Sequence, residues 1–212
     1  MQVLVPIQEH AEFDFNILEI AERMKEDTTY VMASRIAYER DPDPFVITRA
    51  ISCFERTLVS GQSRYDQYLA GDLFVLNATE LHGEQLFLSD RLSCAKCHSG
   101  FNFTDYRFDN NGLYESYQDQ GRYRLTGIDA DRALFKIPTL RNLSVTGPYM
   151  HDGSLPDLPA VIEHYNSGGK NHPHKSILVR PLHLTIEEKK ALLSFLNSLT
   201  DENFIYNQVF RP

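Results

Sequence analysis

The chain has 212 residues, 42% of them apolar, enough for one domain or two small ones with a sizeable buried core. A formal charge of −8 and a pI near 5.5 argue against a nucleic-acid binder, which needs a basic face. No apolar run is long enough to span a membrane.

Met1 to Pro6 lacks a basic stretch followed by an apolar one and does not read as a secretory signal. Residues 16–27 read as an amphipathic helix, with Ile17, Leu18, Ile20, Ala21 and Met24 at helical spacing. A second helix is expected over residues 28–38. Asp41-Pro42-Asp43-Pro44 breaks the chain and opens a third, because Pro suits a first helical turn. Its apolar stripe is Ile47, Ile51, Phe54 and Leu58, and Gly61 is the stop signal. Cys53 lies in this helix and reads as a buried thiol acting as a small hydrophobe, with a reactive or disulfide-forming role as the alternative.

Asn77-Ala78-Thr79-Glu80 starts another helix, running to about Leu88. From Ser99 to Ile137 periodicity is lost, and a stretch rich in Gly, Asn, Asp and Tyr reads as a long ordered loop. A short helix covers residues 158–165 and ends at Asn166-Ser167-Gly168-Gly169. The last helix begins at the capping box Thr185-Ile186-Glu187-Glu188 and buries Leu192, Leu196 and Leu199. No repeat and no clear strand is found. The fold class is all-α, with long loops.

Cys94-Ala95-Lys96-Cys97-His98 is C-x-x-C-H, the attachment motif of a c-type haem. Two thiols one turn apart can each form a thioether to a vinyl group of one porphyrin, and the adjacent His then donates a nitrogen to iron. A thioredoxin-like motif or half a zinc site is the alternative, but no second C-x-x-C and no βαβ pattern accompanies it. Candidates for the second axial position are Met150, His151, His164 and Tyr165. His10, His82, His172, His174 and His183 lie in polar or loop contexts and are assigned to the surface or to local hydrogen bonding.

Several segments resemble the bacterial di-haem cytochrome c peroxidase/MauG family. They are Ala50 to Gly61, Leu86-Phe87 through the C-x-x-C-H, Phe135 to Asn142 (FKIPTLRN), Thr146 to Ser154 (TGPYMHDGS), and the terminal capping-box helix. The resemblance implies a cytochrome c-like helical domain over residues 77–212, preceded by a helical inter-haem and peroxide-site segment over 1–76. It implies one covalent haem c, matching the family's C-terminal, six-coordinate electron-transfer haem. Tyr165 matches the axial Tyr of MauG-like members, on the short helix where peroxidases carry Met.

The opening segment, Gln2 to Phe13, is similar to the family's peroxide-site segment Q-A-x-G-P-I-x-N-P-x-E-M. Gln2, Pro6 and Glu12 match its distal-pocket Gln, Pro and Glu, the last handling protons during O–O cleavage over the other haem. Thr146 and Pro148 match residues whose carbonyls bind an inter-domain calcium. Its third protein ligand lies in the family's first domain, so calcium binding by this chain alone is expected to be weak or absent. Where MauG has a Trp two residues before the haem's first Cys, this chain has Leu92, and it has no Trp at all.

The resemblance therefore implies the C-terminal part of a peroxide-reducing di-haem enzyme whose first haem domain is missing here, through truncation, fragmentation or a split gene. Its partners would be that domain or subunit, and a small cytochrome c, a cupredoxin or a protein substrate as electron donor. The setting would be the periplasm, since c-haem is attached after export. The competing readings are a stand-alone mono-haem electron-transfer or sensing cytochrome, and a degenerate fragment.

Overall fold

The computed structural model describes residues 3–10 and 12–210. The chain divides into two compact units, residues 1–59 and 60–212.

The first unit contains α1 (Leu4–Gln8), α2 (Ile17–Glu26), α3 (Thr28–Tyr38) and α4 (Pro44–Thr57). Asn16, Asp27 and Asp43 each cap the helix that follows by accepting a backbone N–H, so the boundaries fall where the sequence places them. Val3, Ile7, Ile17, Ala21 and Ile47 form its core. The stripe on α4 is buried only at its start. Ile51, Phe54 and Leu58 are exposed, at 38%, 49% and 38%.

Cys53 corrects the expectation of a buried thiol, because it is exposed. It lies six residues beyond Ile47, which at about 100° per residue turns it roughly 120° away from the buried edge of the helix.

The second unit contains α5 (Arg64–Leu69), α6 (Ala78–Leu88), a 3₁₀ turn at Cys94–Lys96, β1 (Phe108–Asp109) and α7 (Tyr123–Thr126). It continues with β2 (Phe135–Lys136), α8 (Leu158–Ser167), α9 (Ile186–Ser198) and α10 (Glu202–Ile205). Residues 60–76, grouped by sequence with the first segment, pack here. Tyr65 and Leu76 join Phe87, Phe195 and Leu199 in the main core. Helices α6 and α9 lie against each other with Gly83 at the crossing, where a Cβ would come 2.0 Å from the Ala191 carbonyl oxygen. Asp201 ties the first turn of this unit to its end, accepting from the Gly61 and Gln62 N–H groups at 2.9 Å each.

The long loop between Ser99 and Ile137 is ordered by its own polar network. The Thr104 hydroxyl donates to the Ile137 carbonyl at 2.6 Å, and the fully buried Asn110 side chain donates to the Ala133 carbonyl at 2.8 Å. It also holds strands that sequence did not reveal: β1 and β2 pair antiparallel, Phe108 with Lys136 and Asp109 with Phe135. Two-residue strands are too short to show a period-two pattern. No helix among the described residues is long and apolar enough to cross a membrane.

Candidate haem site

The three residues of the C-x-x-C-H motif come together on one turn. The Cys97 and His98 N–H groups both donate to the Cys94 carbonyl, at 3.2 and 2.9 Å, so the motif is wound as a tight helical turn. Cys94, Cys97 and His98 all face a cavity of about 470 Å³. Its wall is mostly apolar, built from Phe87 and Leu92 beside the motif, Ile137 and Leu140 from the FKIPTLRN block, Ile162 on α8, and Leu192 and Leu196 on α9. Pockets of this size and character suit a large, flat organic ligand.

His98 is prepared to ligate a metal. Its Nδ1 donates to the Phe103 carbonyl at 2.9 Å, which fixes the tautomer and leaves Nε2 as the acceptor nitrogen. Burial pushes the His98 imidazolium pKa down, partly offset by the Phe103 and Pro138 carbonyls, so the ring is held neutral. Burial also raises both thiols, Cys94 to about 11. No cluster of three or more His, Cys, Asp or Glu side chains poised for a metal ion occurs among the described residues. Two thiols and a single imidazole on one turn, facing an apolar cavity, fit a haem, which brings its own nitrogens.

Of the four candidates for the second axial position, Met150, His151 and Tyr165 line the cavity. His164 does not. Its Nε2 contacts the Asn111 carbonyl at 3.0 Å. Met150 already accepts a hydrogen bond from the Asn111 side chain at 3.1 Å on its sulfur, and His151 is stacked on Phe135 with ring centroids 3.9 Å apart. Burial pushes the Tyr165 phenol up to about 12, although a hydrogen bond with the Asn111 side chain works against this. Asn111 thus touches three of the four candidates. Sequence reasoning missed it, and its only signal was its place in an Asn-rich loop.

Tyr165 is held in register by the end of α8. Gly168 closes that helix at φ 84°, and a Cβ there would come 2.5 Å from Pro181. Thr146 and Pro148 also line the cavity. At the chain start, the Pro6 carbonyl accepts from the Phe13 N–H at 3.2 Å, and the Glu12 side chain is exposed. Gln2 lies outside the described residues. The histidines assigned to local roles behave so: His10 bonds Asp14 at 2.8 Å, His174 contacts the Arg132 carbonyl at 2.9 Å, and His82 and His183 are exposed.

Known proteins share this fold and sequence. The family model described as di-haem cytochrome c peroxidase matches residues 1–73. The methylamine utilization protein MauG of Methylorubrum extorquens is 35% identical over 204 residues, covering 95% of this chain and 58% of that protein. MauG of Methylophilus methylotrophus is 32% identical over 200 residues, covering 93% of this chain and 60% of its own length. A crystal structure of a MauG-like protein associated with microbial copper homeostasis superposes with a TM-score of 0.88 at 32% identity, covering 99% of this chain and 71% of that one.

The chain belongs to the di-haem cytochrome c peroxidase/MauG family, whose proteins are c-type haem proteins of all-α, cytochrome c-like fold. It spans just under three fifths of the curated MauG protein of Methylorubrum extorquens. Membership of a di-haem family counts against the stand-alone mono-haem reading.

Proposed function

We propose that this chain binds one haem c covalently through Cys94 and Cys97, with His98 and Tyr165 as axial ligands, and carries electrons for peroxide reduction at a second haem. The observation that carries the reading is the union of both thiols, the His98 imidazole and the Tyr165 phenol in one apolar cavity. Bound there, haem supplies one-electron exchange at its iron. The residues do the rest. Cys94 and Cys97 would hold the porphyrin through thioethers, the Phe103 carbonyl orients His98, and Leu192 and Leu196 of α9 line the site with apolar surface. A phenolate oxygen is a hard anionic ligand, so Tyr165 favours ferric iron where a Met thioether would favour ferrous.

The second haem domain, on the same protein or on a separate subunit, is the proposed partner, with Gln2, Pro6 and Glu12 contributing to its peroxide pocket. The reductant is a small cytochrome c, a cupredoxin or an aromatic side chain of a protein substrate, and the compartment is the periplasm. Thr146 and Pro148 are assigned to calcium through their carbonyls, with weak binding expected of this chain alone because the third protein ligand lies in the family's first domain.

The test is a set of variants loaded in a host that matures c-type cytochromes. Cys94→Ala with Cys97→Ala should abolish covalent haem. Tyr165→Phe should keep the haem and change its ferric visible spectrum. An unchanged spectrum would remove Tyr165 from the iron.

A further inference from the structure

Asn111 sits where two rival candidates for the second axial position meet. Asn111, Met150 and Tyr165 all line the haem cavity. The Asn111 side chain is fixed in one orientation. Its Oδ1 accepts from the Leu113 N–H at 3.1 Å, which leaves Nδ2 as the donor for its other neighbours. Its backbone is tied to the helix that carries Tyr165, because the His164 Nε2–H donates to the Asn111 carbonyl at 3.0 Å. One residue on, the Gly112 N–H donates to the fully buried Asn110 side chain at 2.8 Å.

The Nδ2 group has two hydrogens and two partners. One is the Met150 sulfur, at 3.1 Å. The other is the Tyr165 phenol. Met150 is also held from its own side. Its backbone has φ 74°, a left-handed conformation uncommon for such a side chain, and the side chain packs beside Leu113, Tyr117 and Ala133. A thioether ligates a metal through a sulfur lone pair, and the Asn111 hydrogen bond engages that same sulfur.

We propose that Asn111 is the positioning residue that decides the second axial ligand: by binding the Met150 sulfur it withholds that thioether and leaves the position to Tyr165. The proposal rests on the haem reading above. The choice has a consequence for electron transfer, because a thioether favours ferrous iron and a phenolate oxygen favours ferric iron. Asn111 therefore sets the potential of the site without being a ligand itself, as partners of metal ligands do elsewhere. Met150 is a second ligand held in reserve.

The experiment uses the haem-loaded protein, with loading established by intact mass, and reads the ferric visible spectrum and the midpoint potential. The parent and Met150→Leu should share one spectrum, without a sulfur-to-iron band. Asn111→Leu should gain that band and shift the midpoint upward. Asn111→Leu combined with Met150→Leu should lose the band again, which a merely structural role for Asn111 would not produce. Asn111→Thr keeps an oxygen that can accept from the Leu113 N–H but is one atom too short to replace Nδ2, so it repeats the test with the local turn preserved. It should behave as Asn111→Leu does, with its fold checked by circular dichroism. Folded Asn111 variants that keep the parent spectrum and midpoint, or that change them without a Met150-dependent sulfur band, would overturn the proposal. A parent that carries no haem, or already shows the sulfur band, would overturn the reading of the site on which the proposal rests, and the parent measurement alone separates that case from a failure of Asn111.

Discussion

Asp66 and Arg141 form a two-pronged ion pair, with both guanidinium nitrogens 2.8 Å from the carboxylate oxygens and side-chain exposures of 14% and 5%. Removing one partner leaves a buried charge unanswered, so Asp66→Ala should cost about 3–5 kcal/mol in urea unfolding. Burial alone would raise the Asp66 pKa, but hydrogen bonds from Arg141 and Ser63 outweigh it and hold the carboxyl below its usual range. A depressed folded pKa means that the stabilisation is present above the unfolded value of about 3.9 and is lost as pH falls through the folded one. Stability should therefore drop below about pH 4, and Asp66→Asn should flatten that dependence. At the same scale, sequence showed the three haem-attaching residues because their spacing is the chemistry. It could not show Asn111, whose side-chain amide meets Met150 and Tyr165 and whose backbone carbonyl meets His164, contacts that exist only once the chain is folded.

Among the elements, the crossing of α6 and α9 carries the sharpest prediction. In an isolated helix, Gly→Ala gains about 1 kcal/mol. At Gly83 the new methyl would meet the Ala191 carbonyl at 2.0 Å, so the sign reverses. Gly83→Ala should lose roughly 1–3 kcal/mol or more, read as a fall in thermal midpoint. Thr185→Ala removes the side chain that caps α9 at the Glu188 N–H and should cost about 1 kcal/mol by the same measurement. The capped helices were legible at their starts, where Asn16, Asp43, Asn77 and Thr185 accept backbone N–H groups. The short α5 and α10 escaped notice, since six and four residues give too few turns for an apolar stripe. The burial of Cys53 was misjudged for a related reason: periodicity identifies a helix face but not how far along the helix that face stays covered.

For the whole molecule, two physical facts converge on one function. The second unit holds a cavity of about 470 Å³ with a mostly apolar lining. Its lining includes two thiols and an imidazole whose Nδ1 is already engaged. A concave, mostly apolar space of this size suits a bound organic ligand. The architecture was legible from helix signals and from the resemblance of two sequence blocks. The cavity itself was not, because its walls come from segments as far apart as Phe87 and Leu196 and exist only once the chain is folded.

The measurement that bears most directly on this account is the intact mass of the protein made in a c-haem maturation host, taken with its ferric visible spectrum. The account predicts a gain of one haem, with a high-spin or tyrosinate-like spectrum that reports oxygen ligation by Tyr165. One haem with a low-spin spectrum and a sulfur-to-iron band would move the second ligand to Met150. No gain in mass would contradict the central claim that Cys94, Cys97 and His98 hold a haem.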